Sequence, residues 1–96
     1  MYILITYDVD TTNKEGARRL RQVARACIDY GQRVQNSVFE CAVTEAQLCT
    51  LQNTLSSIIN HQKDSIRIYH LHRSLSRRVE VIGKETAYDV NEVIMI

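Results

Sequence analysis

The pattern of apolar and polar positions predicts an alternation of strands and helices. The continuous β-favouring run Tyr2–Tyr7 predicts a buried strand. Thr12 and Glu15 have the spacing of a capping box, so we expect Thr12 to cap a first helix, and Gly31 to end it in a left-handed conformation. The apolar stripe of this helix is Leu20, Val23, Ala24, Cys27 and Ile28.

A second helix and two further strands follow. Thr44 and Gln47 form another capping-box pattern. The apolar stripe after it is Leu48, Leu51, Leu55, Ile58 and Ile59. Short β-favouring runs then predict strands at Ser65–Leu71 and Arg78–Ile82.

The stretch Arg33–Val43 lies between the two helices and is rich in β-formers, but its alternation changes parity. This change indicates either a bulge near Asn36 and Ser37 or a segment covered on both faces. If the stretch divides into two strands at Asn36-Ser37, the element order is βαββαβ. That order predicts an α+β ferredoxin-like sandwich, in which two helices cover one face of an antiparallel sheet.

Composition and the C-terminus favour one small domain that associates with a second copy. The chain has 96 residues, no proline and no low-complexity segment, so we expect a single domain over residues 1–96. The other sheet face would stay open, and the chain finishes in the apolar sequence VIMI. We therefore expect residues 84–96 to add as an edge strand, to this sheet or to that of a homodimer partner.

The cysteines and the hydropathy indicate a cytoplasmic protein. Cys27, Cys41 and Cys49 are an odd number without paired spacing, so we expect them to act as small apolar core residues in a reducing compartment. No apolar run approaches the roughly 20 residues of a membrane span, and nothing before Tyr2 resembles a signal peptide.

Asp8 is the first candidate for chemistry, because it ends an otherwise apolar strand. A carboxylate there suits Mg²⁺, which takes one or two protein carboxylates and keeps several waters. One aspartate per chain is too few for a nuclease, but a two-fold dimer would supply two. The alternative is that Asp8 only forms a turn. For Asp10, which shares its parity, the turn is the favoured interpretation.

A basic cluster on the first helix is the second candidate. Arg18, Arg21 and Arg25 recur on one side, opposite the apolar stripe, with Arg19 beside them. Arginine binds phosphate through a planar, bidentate fork. With a net charge of only +1, phosphate contact and a merely solvated helix face both remain open.

The histidines and known motifs add little. His70 and His72 share one face of a predicted strand without an evident third metal ligand, and His61 lies at a helix end. The sequence has no phosphate-binding G-x-x-x-x-G-K-[ST] loop, no C-x-x-C pair and no catalytic-triad spacing. It also lacks the aromatic signature of the RNA-recognition fold, since Ser65–Leu71 offers only Tyr69.

Several segments together resemble one protein family. They are the Tyr7-Asp8 pair, the helix RRLRQVAR, the stretch YGQRVQNSVFE over residues 30–40 and the run KDSIRIYHL. With these segments the chain resembles the CRISPR-associated protein two family, the small ferredoxin-like partner of the CRISPR integrase. The resemblance extends over nearly the whole chain.

The resemblance implies a homodimer whose sheets face each other, with each C-terminal segment on the neighbouring sheet. It implies that Asp8 and its dimer mate bind a divalent metal, Mg²⁺ or Mn²⁺. Arg18 or Arg19 matches the family's helix arginine, and Arg33 matches the arginine that opens the second strand. The resemblance implies that Arg18, Arg19 and Arg33 hold phosphates of the nucleic acid. The residues expected to shape the site are Tyr7, Ser37 and Phe39.

The same resemblance implies two functions in CRISPR adaptation, the acquisition of new spacers. One is a metal-dependent endonuclease acting on single-stranded RNA or double-stranded DNA. The other is a non-catalytic scaffold that bridges integrase subunits and binds duplex DNA. A toxin-type interferase ribonuclease is a further alternative, and a ligand-sensing regulator is disfavoured because no glycine-rich ligand loop is present.

Overall fold

The computed structural model describes residues 1–72, 80 and 82–83. Its elements are β1 (Tyr2–Asp8), α1 (Lys14–Ile28), β2 (Gly31–Gln35), β3 (Val38–Ala42), α2 (Glu45–Ile58) and β4 (Ser65–Leu71). Apart from Glu80 and Ile82, the predicted strand Arg78–Ile82 lies outside the described residues, as does the C-terminal segment 84–96.

The strands form one antiparallel sheet in the order β2-β3-β1-β4. β1 lies inside the sheet, where Ile5 is opposite Phe39 of β3 on one side and Ile68 of β4 on the other. This is the predicted ferredoxin-like arrangement, and it places the end of β1 between two neighbouring strands.

Alternation along the strands separates a helix-covered face from an open face. The core beneath the helices contains Ile3, Ile5 and Tyr7 of β1, Phe39 and Cys41 of β3, Val23 and Cys27 of α1, and Leu48, Leu51 and Leu55 of α2. The open face carries the other parity of β1, which includes Leu4, Thr6 and Asp8. Tyr69 of β4 shares this face, and 44% of its surface is exposed.

The predicted division of the β-rich stretch is confirmed. β2 and β3 form a hairpin whose turn is Asn36 and Ser37. The register shifts between Arg33, which is opposite Phe39, and Gln35, which is opposite Val38. This irregularity explains the change of parity, because one extra residue in β2 reverses which side chains point inward.

The two predicted capping boxes differ in outcome. Thr44 caps α2 in a full capping box with Gln47, as expected. The prediction for α1 is wrong, since its N-cap is Asn13, whose side-chain oxygen accepts from the Gly16 amide at 2.8 Å. Thr12 lies one residue before this cap, and its hydroxyl is directed back towards Asp10, to which it donates at 2.7 Å.

The prediction that Gly31 ends α1 in a left-handed conformation is also wrong. The helix ends at Ile28, and its C-cap Asp29 has ordinary right-handed angles. Gly31 begins β2, and a Cβ atom there would collide with the Glu40 carbonyl oxygen and with Cys41. Glycine is required at this position by the close approach of β3.

The cysteine expectation holds for two of the three residues. Cys27 and Cys41 are buried in the core, whereas Cys49 is exposed on α2. Among the described residues, no helix has the length and apolar content to cross a membrane.

Gly16 offers a test of the packing between α1 and the loop that follows β1. Glycine-to-alanine changes in helices usually stabilise, by up to about 1 kcal/mol. Here the added Cβ would meet the Asp10 backbone carbonyl, so we expect Gly16→Ala to destabilise the protein by about 1–3 kcal/mol. The measurement is the urea midpoint at unchanged m-value.

The control is Gln22→Ala, which is exposed on the same helix and should stay within about 0.5 kcal/mol of the parent chain. A higher urea midpoint for Gly16→Ala would contradict the close approach.

Candidate functional site

Asp8 is the last residue of β1 and is exposed. It is opposite Ser65 of β4 in the sheet register, and alternation places its side chain on the open face. Its carboxylate makes no hydrogen bond or ion pair with any other described residue. Within the described part of the chain this carboxylate is exposed and unengaged, so it is available to a cation or to a second chain.

Asp10 forms a turn, as the favoured interpretation predicted. Its Oδ1 accepts hydrogen bonds from the Thr12 amide at 3.0 Å and from the Thr12 hydroxyl at 2.7 Å. These bonds lower the pKa of Asp10 below its usual value. The side chain is thus used locally, to direct the chain from β1 towards α1.

Asp64 is a buried carboxylate immediately before β4, and its side chain is fully removed from solvent. One oxygen, Oδ2, accepts from Arg19 Nε at 2.7 Å and from the Asn60 amide at 2.9 Å. The other, Oδ1, accepts from the Asp10 amide at 3.0 Å and from Arg19 Nη2 at 3.4 Å. Asp64 therefore joins α1, the β1–α1 loop and the α2–β4 loop.

Asp64 and Arg19 each stabilise the charged form of the other. The hydrogen bond from Arg19 lowers the pKa of Asp64 to about 2, and the Asn60 and Asp10 amides act in the same direction. The hydrogen bond to Asp64 raises the pKa of Arg19. Burial alone would favour the neutral acid, so the ionised form depends on these donors.

Tyr7, Phe39 and Arg33 are stacked on the helix-covered side of the sheet. The rings of Tyr7 and Phe39 are 6.2 Å apart, and the Arg33 guanidinium carbon lies 5.3 Å from the centre of the Phe39 ring. The backbone amide of Tyr7 donates to the Ser37 carbonyl, and its hydroxyl donates to the Asn36 carbonyl at 3.2 Å. These contacts attach the β2–β3 turn to the end of β1.

This stack and Asp8 lie on opposite faces. Neighbouring residues of a strand point to opposite sides, so Tyr7 turns inward and Asp8 outward. Burial raises the pKa of Tyr7, an effect that the charge of Arg33 partly offsets. Arg33 Nε is itself buried without a partner in the described part of the chain. The structure therefore brings Tyr7, Ser37, Phe39 and Arg33 together, but leaves Arg33 on the other face from Asp8.

The arginines of α1 fall into two groups. Arg18, Arg21 and Arg25 are exposed, and none forms an ion pair with a described residue. Arg19 is different, because its side chain is only 15% exposed and its guanidinium is bound to Asp64. The expectation that Arg19 contacts phosphate is therefore not retained, while the other three remain available in the helical layer.

Histidines and cysteines contribute no further site among the described residues. No group of three or more histidine, cysteine or acidic side chains there could hold a metal ion. His70 and His72 are exposed, and His61 contacts the Ser56 carbonyl at 2.8 Å. Burial raises the pKa of Cys27 to about 12 and that of Cys41 to about 11, so neither is a ready nucleophile.

The sequence profile of the family described as CRISPR associated protein Cas2 matches residues 1–79. The chain belongs to the Cas2 family. It is 50% identical over 95 residues to the "CRISPR-associated endonuclease Cas2" of Halalkalibacterium halodurans, covering 99% of each chain. It is 45% identical over 96 residues to the "CRISPR-associated endoribonuclease Cas2 1" of Moorella thermoacetica, covering 100% of both.

Solved Cas2 structures have the same fold. The crystal structure of Streptococcus pyogenes Cas2 at pH 6.5 superposes with a TM-score of 0.80 at 53% identity, over 86% of this chain and 100% of that one. Another Cas2 crystal structure superposes with a TM-score of 0.70 at 29% identity, over 100% of this chain and 97% of that one.

Asp64 is the residue of this Cas2-family site that sequence reasoning missed. It lies within KDSIRIYHL, which contributed to the family resemblance, but nothing in the local pattern distinguishes it from a surface aspartate before a strand. Its partners Asp10 and Arg19 are 54 and 45 positions away. The one feature of the sequence that could have drawn attention to Asp64 is that a charged residue directly precedes a predicted strand.

The Asp64 pKa predicts how stability changes in acid. The folded state lowers this pKa from 3.8 to about 2. The stabilisation is therefore present above about pH 4 and is lost as the pH falls through about 2. We expect Asp64→Asn to cost about 3 kcal/mol at neutral pH, because it leaves Arg19 without its charged partner. Urea titrations from pH 7 to 2 should show the difference from the parent chain shrinking below about pH 4.

Asp29→Asn, an exposed acid at the end of α1, is the control and should change stability by less than about 0.5 kcal/mol at neutral pH. A difference between the parent chain and Asp64→Asn that stays constant down to pH 2 would mean that the Asp64 charge does not contribute.

Proposed function

We propose that this chain is a cytoplasmic CRISPR-associated nuclease that hydrolyses phosphodiester bonds in single-stranded RNA or duplex DNA. It works as a homodimer in which the two copies of Asp8 hold Mg²⁺ or Mn²⁺. The observation that carries the proposal is Asp8 itself, a carboxylate exposed on the open sheet face with no partner among the described residues. The names of the relatives, endonuclease and endoribonuclease, agree with this activity.

The residues present fit such a metal when two chains are combined. Carboxylate oxygens are the protein ligands that Mg²⁺ prefers, and one or two of them suffice. The nearby acids are already engaged, Asp10 by Thr12 and Asp64 by Arg19. Among the described residues, a single chain thus offers one free carboxylate at this end of the sheet, and a second copy related by a two-fold axis would offer the other.

The open sheet face is the surface proposed for the second copy. It carries Leu4 and Leu71, which are half-buried, and Tyr2 and Tyr69, which are more than a third exposed. Stacking two such faces would bury these side chains and bring the ends of both β1 strands towards one axis. The single domain 1–96 would then extend its C-terminal segment 84–96 onto the partner.

The proposed reaction adds a water oxygen to phosphorus and breaks the bond between phosphorus and one sugar oxygen, which leaves with a proton. Asp8 from each chain would hold the cation. When bound, the cation supplies Lewis-acid stabilisation of the charge that develops on the phosphate. Arg18, Arg21 and Arg25 bind phosphates of the nucleic acid away from the cleavage site, because their guanidinium groups are exposed and unpaired with described acids.

A second function has its own observation. The exposed arginines lie in the helical layer, whereas Asp8 lies on the opposite face of the sheet. Nucleic acid could therefore bind along α1 without reaching Asp8. This separation favours a DNA-bridging scaffold for the CRISPR integrase as the alternative function of the same dimer.

Removing Asp8 tests the nuclease. We expect Asp8→Ala to reduce cleavage of duplex DNA and single-stranded RNA in Mg²⁺ by at least about 100-fold, since a direct ligand should matter more than a residue that supports one. EDTA should abolish cleavage by the parent chain. The assay compares both substrates under single-turnover conditions, with the dimer verified by sedimentation.

The matched control is Asp29→Ala, which removes an exposed carboxylate from the helical layer. This variant should cleave both substrates as the parent chain does. Equal cleavage by Asp8→Ala and the parent chain would contradict the nuclease. Absence of cleavage by both, with DNA binding intact, would favour the scaffold.

The proposed role of the exposed arginines of α1 is tested by the salt dependence of DNA binding. Each phosphate contact removed from duplex DNA should flatten the slope of log K against log salt concentration by about 0.9. We expect Arg21→Ala and Arg25→Ala each to show this change while leaving the Mg²⁺ dependence of cleavage unaltered. Fluorescence anisotropy at several salt concentrations gives the slope.

Gln52→Glu is the charge-matched control, because it also changes the net charge by −1 but lies exposed on α2. An equal loss of slope in Gln52→Glu would show that overall charge, and not α1, determines binding.

A further inference from the structure

Asp64, whose carboxylate is buried, is connected to two neighbours of Asp8 in the folded chain. Along the sequence, Asp10 follows two residues after Asp8, and its amide donates to Asp64 Oδ1 at 3.0 Å. Across the sheet, Asp8 is opposite Ser65, which follows Asp64 directly. Asp64 therefore links the segment leaving β1 to the segment entering β4 at the point where Asp8 lies.

Arg19 completes this attachment from the helix. Its guanidinium contacts both oxygens of Asp64, and its Nη2 also approaches the Asp10 carbonyl oxygen at 3.5 Å. The peptide groups on both sides of Asp10 are thereby held to α1. Val9, between Asp8 and Asp10, is 8% exposed, so the intervening residue is also anchored in the core.

We propose that Asp64 and Arg19 are a positioning pair that fixes the backbone carrying Asp8, so that its carboxylate is in place before a divalent cation binds. This inference rests on the proposed role of Asp8 as a metal ligand. It assigns Arg19 to the support of the site, in contrast to the exposed arginines of α1 that are assigned to phosphate. Neither Asp64 nor Arg19 touches the metal or the substrate.

The need for positioning follows from where Asp8 lies. A strand end next to a loop is mobile unless its backbone groups are bound, and a metal ligand must be held within fractions of an ångström. Because the proposed site takes one Asp8 from each chain, a shift in one chain is repeated by symmetry in the other. A loosened loop would therefore displace both ligands together.

An asparagine at position 64 cannot replace the carboxylate. Asp64 accepts at both oxygens from donors on three different segments. An amide has one accepting oxygen, so its NH₂ group would face either the Asp10 amide or the Asn60 amide and Arg19 Nε. Asp64→Asn keeps the shape of the side chain but releases at least one of these anchors.

The test measures cation binding and the state of Asp8 separately. Mn²⁺ binding to the full-length dimer is followed by electron paramagnetic resonance, and the Asp8 carboxyl carbon by ¹³C NMR without metal. We expect Asp64→Asn to weaken Mn²⁺ binding by about 10-fold, as is typical for residues that support a ligand, and to shift the Asp8 signal.

The matched control is Leu55→Ala, which truncates a core residue of α2 that is not among the hydrogen-bond partners of Asp64. It should leave both Mn²⁺ binding and the Asp8 signal as in the parent chain. Asp8→Ala should lose the Mn²⁺ site altogether. All variants are compared well below their melting temperatures and as verified dimers.

The outcomes separate the inference from the proposed function. If Asp8→Ala loses Mn²⁺ but Asp64→Asn binds it like the parent chain, the positioning role is overturned and the metal site stands. The positioning role also fails if Leu55→Ala weakens binding as much as Asp64→Asn does. If Asp8→Ala binds Mn²⁺ as well as the parent chain, the proposed metal site is overturned, and the inference with it.

Discussion

The pairing of Asp64 with Arg19 is the constraint on which the arrangement around β1 depends. A charged group removed from water is tolerated only when it is paired and hydrogen-bonded, and Asp64 receives four donors from three segments. Those segments are α1, the loop after β1 and the loop before β4. Satisfying one buried charge therefore determines where the chain leaves the central strand and how the first helix crosses its end.

Strand alternation then gives the molecule two surfaces, to which the proposed function assigns different roles. Tyr7 turns towards the helices and packs with Phe39 and Arg33, while its neighbour Asp8 turns to the open face. The exposed arginines belong to the helical layer. In the proposed function, phosphate contacts and the metal carboxylates are consequently contributed by different layers of a small domain, and the second copy of the chain is what completes the site at the open face.

Helix and strand identity followed closely from the sequence, because each depends on side chains a few positions apart. The hairpin at Asn36-Ser37, the Thr44 cap and the strand Ser65–Leu71 were all predicted and found. The errors at Thr12 and Gly31 share a cause. In each case a tertiary or turn contact, from Asp10 to Thr12 and from β3 to Gly31, took precedence over the local signal.

Sequence reasoning predicted the family, the ferredoxin-like element order and the placement of Asp8 at the end of a strand, since periodicity and short motifs are local properties of the chain. It did not predict that Arg19 is bound by a buried carboxylate, which became evident from the fold. Arg18 and Arg19 are adjacent and chemically identical, yet one faces solvent and the other is bound to Asp64, 45 positions away. Asp64 is buried and therefore requires hydrogen-bond donors, and the packing of α1 brings Arg19 to it. That packing depends on contacts between residues far apart in the sequence, which local patterns do not describe.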